Sequence, residues 1–69
     1  MHHATLDALI KQAGSIYEAW INGNVSTAQA MLHQVPPDRI SYVTMTMTVL
    51  AFKERQLYQF TKFIEGATR

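Results

Sequence analysis

Residues 40–52 read ISYVTMTMTVLAF, thirteen positions without a charge. Two periodicities compete in this stretch. At about 100° per residue, Ile40, Val43, Met47, Leu50 and Ala51 form one apolar stripe, and Tyr42, Met45, Val49 and Phe52 form a second on the far side. At 180° per residue, Tyr42, Thr44, Thr46 and Thr48 alternate with Val43, Met45, Met47 and Val49, a β-branched pattern that ordinarily marks a strand. We read a helix, because a lone strand has no partner within this chain and would have to pair across a dimer. A helix that is apolar on opposite faces is buried or shared. A 69-residue chain buries only about 60% of its unfolded surface, so the second stripe points to self-association or a protein partner.

Towards the C-terminus, Lys53 to Gln56 is polar, and Leu57, Phe60, Phe63 and Ile64 then form a helical stripe that ends at Gly66. An unbroken helix from Asp38 to Glu65 would be about 42 Å long and would place Glu54 and Thr61 on core positions. A turn or kink is therefore predicted near Lys53 to Arg55. Towards the N-terminus, Pro36 and Pro37 stop the preceding helix, and Pro37 suits the first position of the next, with Asp38 in its first turn.

The second helix is predicted from a capping-box spacing, Ser26 with Gln29, supported by a Val25–Ala30 staple. Its apolar face is Ala28, Met31, Leu32 and Val35. Before it, Asn22, Gly23 and Asn24 end a first helix that begins near Thr5, the expected N-cap. Leu6, Leu9, Ile10, Ala13, Ile16, Tyr17, Trp20 and Ile21 give that helix its stripe, with Asp7 and Lys11 as an i, i+4 pair. Trp20 is expected to anchor the core between helices one and two. Gly14 lies at the edge of the stripe, where another backbone could approach closely. The fold class is thus all-α, a small bundle of three to four helices at about 5–22, 26–34, 37–53 and 56–65, dimeric. Residues 1–69 form a single domain, with 1–4 and 67–69 expected to be flexible.

Composition narrows the partners. Six basic against five acidic residues leave a formal charge of +1, without the concentrated positive field of most nucleic-acid binders. There is no cysteine, so neither disulfides nor thiolate metal clusters supplement the small core, and oligomerisation is the remaining device. The uncharged run is too short to cross a bilayer. Asp7 and Lys11 interrupt Leu6, Leu9 and Ile10, so the start does not read as a signal peptide, and a cytoplasmic protein is expected.

No constellation points to catalysis. The five acids are scattered over four segments, Ser15, Ser26 and Ser41 lack a glycine-flanked elbow, and Asn22-Gly23-Asn24 offers too few amides for a phosphate loop. A non-enzyme without cofactor or metal is expected. His33 stands alone, and Met1-His2-His3 would suit square-planar Cu(II) or Ni(II) only as any chain with a third-position histidine does.

The expected interface residues are Tyr42, Met45, Val49, Phe52, Tyr58 and Phe63, since aromatics and methionine are enriched where proteins meet. The alternative is a small dimeric nucleic-acid-binding regulator that pools Arg39, Lys53, Arg55 and Lys62. It is not favoured, because Thr44, Thr46 and Thr48 are poor base readers and the two prolines differ from the usual helix-turn-helix connection.

Ala19-Trp20-Ile21-Asn22-Gly23-Asn24, followed by Ala28, Met31 and Leu32, resembles short helical proteins of bacterial plasmids and phages. The resemblance covers about half of the chain and brings no catalytic or binding residue. It implies a mobile-element accessory role, regulating host or plasmid functions by contacting another protein.

Overall fold

Two prolines and two left-handed residues divide the chain into four helices. The computed structural model describes residues 3–67, with side chains from Leu6 onward: α1 spans His3–Ile21, α2 Val25–His33, α3 Ile40–Lys53 and α4 Leu57–Ala67. Among the described residues there is no strand, so the stretch that alternates at 42–49 is helical.

Each boundary has a local cause. After α1, Gly23 takes φ +89°, the Gly23 amide donates to the Trp20 carbonyl, and the Asn24 amide reaches back to Ala19 at 2.9 Å. That pair of bonds is a Schellman motif. The same motif closes α3 without a glycine: Arg55 takes φ 59°, its amide donates to Phe52, and the Gln56 amide reaches Ala51 at 2.7 Å. The predicted break near Lys53 to Arg55 is therefore a left-handed turn. After α2, the Gln34 and Val35 amides donate to Met31 and Leu32, tightening the last turn before Pro36, which has no amide to continue it.

The helix starts differ from the expected caps. α1 is already helical at His3, ahead of Thr5, and α2 starts at Val25 with Asn24 as N-cap and no side-chain cap bond, so Ser26 does not form the capping box. α3 starts at Ile40 instead of Pro37, because the Arg39 amide bonds to the Pro36 carbonyl at 2.9 Å and residues 36–39 form a separate turn. Asp38 consequently lies outside the first helical turn. α1 begins at His3, and Ala67, the last residue of α4, is buried.

α1 is the hub, packing against α2 and α3, and α3 packs against α4. The core collects Leu9, Ala13, Ile16 and Tyr17 from α1, Ala28 and Leu32 from α2 with Val35 beyond it, Val43, Met47 and Ala51 from α3, and Phe60, Phe63 and Ala67 from α4. Trp20 has a different place from the expected one. Its ring packs edge-on against Phe60 at 5.6 Å and tilted against Phe63 at 5.8 Å, so it ties α1 to α4. Gly14 meets no neighbour, since a Cβ built on it would find nothing within 4 Å. The expected close backbone approach there is absent.

Candidate interaction surface

Threonine is a modest helix former, partly because its side chain is restricted against the preceding turn. In α3 the hydroxyls are absorbed by the helix itself. Thr44, Thr46 and Thr48 donate to the carbonyls of Ile40, Tyr42 and Thr44 at 2.9, 2.9 and 2.7 Å, the i−4 back-bond open to a threonine in a helix. Helical spacing then sorts the apolar residues onto two sides. Val43, Met47 and Ala51 are buried, with Ile40 and Leu50 packed against the core.

The other stripe stands in solvent. Tyr42 is 54% exposed, Met45 62%, Val49 53% and Phe52 70%. These four side chains lie within three turns of one helix face, about 15 Å along the axis. They form a contiguous apolar row without a charged residue inside it, whereas scattered single apolar residues on a surface are ordinary.

The two expected interface residues from α4 part company. Tyr58 is exposed, and its ring lies under the Lys62 ammonium at 5.5 Å, a cation–π contact. Phe63 belongs to the core: it is 8% exposed and packs against Trp20 and Phe60. The reason is geometric, since Phe60 and Phe63 share the inward face of α4, while Tyr58 is two residues from Phe60 and turns away from it. Phe63 is therefore removed from the interface set.

The basic residues do not all converge. Arg39, Lys53, Arg55 and Lys62 are all exposed. Arg39 precedes and Lys53 ends a 14-residue helix, so their backbones are about 20 Å apart. Only Lys53 and Arg55, around the α3–α4 turn, are close neighbours in the chain.

One long-range polar contact was missed by sequence reasoning. The Tyr17 hydroxyl donates to Glu54 Oε1 at 2.9 Å, linking the C-terminal part of α1 to the C-cap of α3. Loss of hydration at the buried ring, and then the hydrogen bond and negative charge of Glu54, push the Tyr17 hydroxyl up from 10.0 to about 12. A pairing across 37 residues leaves no signature in local spacing. Sequence reasoning also placed Leu6, Ile10 and Ile21 on the stripe of α1, but all three are exposed at its margins.

The surface depressions carry little chemistry. Among the described residues, Leu32, Val35, Pro37, Ile40 and Ala67 line an open apolar hollow with His33 as its single titratable side chain. Acid–base work needs groups that converge on a pocket, and among the described residues none joins His33 there. Thr44, Thr48, Thr61 and Glu65 border a cleft between α3 and α4, where all three threonine hydroxyls donate to carbonyls of their own helices. Among the described residues no group of three or more His, Asp or Glu side chains is placed to hold a metal ion. The Met1-His2-His3 arrangement lies outside the residues described with side chains. No helix among the described residues is long and apolar enough to cross a membrane. Comparison of the chain with protein-family models, with curated proteins and with solved structures finds no match.

Proposed function

We propose that this protein is a non-enzymatic interaction or regulatory protein, homodimeric and cytoplasmic, whose docking surface is the outer stripe of α3. The exposure of Tyr42, Met45, Val49 and Phe52 on one helix face carries the reading. Leaving four large apolar side chains in water forgoes a stabilisation of about 1.5–3 kcal/mol for each one that could be fully buried. Docking recovers part of it. The likeness of residues 19–32 to plasmid and phage proteins supports an accessory role in a mobile element, with a second protein as the regulated target.

Sedimentation tests the reading. The wild type is expected to be dimeric at micromolar concentration, and Met45→Glu combined with Val49→Glu is expected to be a folded monomer, because both changes lie in solvent on the far side of α3 from Val43 and Met47. A wild type that stays monomeric refutes self-association. The nucleic-acid alternative has weaker support, since Arg39 and Lys53 stand at opposite ends of α3. It predicts binding to mixed DNA fragments that falls steeply with salt; absence of binding at low salt eliminates it.

A further inference from the structure

The exposed stripe of α3 reads the same in both directions. Its residues fall at 42, 45, 49 and 52, a 3-4-3 spacing, and their character is aromatic, aliphatic, aliphatic, aromatic. This is the spacing of successive a and d positions in a heptad, the seam along which two helices interlock. An interface between two copies related by a two-fold axis requires that if one residue touches another, the second touches the first in return. An axis perpendicular to α3 at the level of Met47 satisfies this with well-matched layers. Tyr42 then faces the partner's Phe52, and Met45 faces the partner's Val49. Parallel helices would instead stack each residue on itself, setting a thin valine layer directly beside a thick phenylalanine layer.

The flanks of the seam suit burial. Ser41, Thr46 and Thr48 border its length without charge, Lys53 flanks only its C-terminal end, and the Thr46 and Thr48 hydroxyls already donate to carbonyls of their own helix. Covering those two threonines strands no hydroxyl donor. Charge also separates the two orientations. Lys53, Glu54 and Arg55 at the C-terminal end of α3 carry a net +1, and Asp38 with Arg39 at the other end is neutral. Parallel pairing would gather two Lys53, two Arg55 and only two Glu54 at one end, with the Glu54 carboxylate already accepting from Tyr17. Antiparallel pairing sets Lys53 and Arg55 near the partner's Asp38, although Arg39 comes to that end too, and it opposes the helix dipoles. The excess charge is divided between the ends.

Four side chains more than half exposed offer on the order of 500 Å² per copy, so about 1,000 Å² in all, the size of a weak, reversible interface. That area suits a dimer that dissociates in the micromolar range. We propose that two copies of this chain pair α3 against α3 in antiparallel orientation, with Tyr42 on the partner's Phe52 and Met45 on the partner's Val49. The proposal rests on the reading of this stripe as the docking surface and adds its occupant, orientation and register.

The chain has no cysteine, so introduced thiols report cleanly. Tyr42→Cys and Phe52→Cys proteins are oxidised separately and mixed. Antiparallel pairing leaves two copies of position 42 about 15 Å apart along the seam, beyond disulfide reach, but sets position 42 opposite position 52. A disulfide is expected in the mixture and not in either protein alone. A second measurement keeps all four seam residues: Ser41→Cys carrying a nitroxide is expected to give an intersubunit distance of about 20 Å, against about 10 Å for parallel helices. Disulfides within each separate protein, or any distance other than the long one, overturn the orientation and register while leaving the stripe as a dimer surface if Met45→Glu with Val49→Glu dissociates it. A dimer that survives that double substitution, or a monomeric wild type, overturns the proposal and its premise together.

Discussion

Tyr17 and Arg55 are two residues whose roles depend on their positions more than on their types. The Tyr17 hydroxyl is held at about 12, so between about pH 10 and 12 the unfolded chain releases a proton that the folded chain keeps. The sign follows from linkage: the contribution of this tyrosine is complete below pH 10 and is lost as pH rises through 12. Absorbance titration is expected to show a late tyrosinate step in the native protein, and Glu54→Gln is expected to move it towards 10 by removing the carboxylate charge. Arg55 occupies the left-handed region at φ 59°, where a side chain costs about 1–2 kcal/mol and glycine costs nothing. Glycine also gives up more freedom on folding, by about 0.5–1 kcal/mol. Arg55→Gly is therefore expected to stabilise by about 0.5–1 kcal/mol, visible as a higher urea midpoint with unchanged slope.

The helices show where apolar patterning is sufficient and where it is not. α1 carries Gly14 in its interior with open space around the missing Cβ. Gly14→Ala is expected to add about 1 kcal/mol, the helix-propensity difference alone, in a urea titration; Gly23, at φ +89°, should respond with the opposite sign. In α3 the threonines that mimic a strand are reconciled with a helix by hydroxyl-to-carbonyl bonds one turn back. The second stripe of α3 is left over after α1 and α4 have covered the first.

The whole molecule measures 32 × 25 × 17 Å, and its aromatic cluster joins the first helix to the last. Tyr17, Trp20, Phe60 and Phe63 form five ring pairs with centroids 5.5 to 6.3 Å apart, within the favourable range. Phe60 is 2% exposed and touches the other three. Phe60→Ala is expected to cost about 3–5 kcal/mol. In a domain this small that is a large part of the total stability, and thermal circular dichroism is expected to show a melting transition lowered by tens of degrees or absent. Met45→Ala, on the solvent face, is expected to leave the melt of the monomer nearly unchanged.

The all-helical class, approximate boundaries and the two-sided character of α3 were legible from the sequence, because period 3.6, paired prolines and Asn-Gly-Asn act over a few residues, whereas the choice between three and four helices was not, since no glycine or proline marks the turn at Arg55. So were the buried and exposed stripes of α3, since one helix cannot bury opposite faces against so little chain. The ends of α1, α2 and α3 were less legible, because backbone bonds such as Arg39 to Pro36 compete with the side-chain caps that local spacing suggests. Only the tertiary structure decided that Trp20 serves α4, that Phe63 lies inside while Tyr58 lies outside, and that Tyr17 meets Glu54. Those choices depend on how the helices cross, and a residue pattern specifies which face of a helix is apolar without specifying which neighbour covers it.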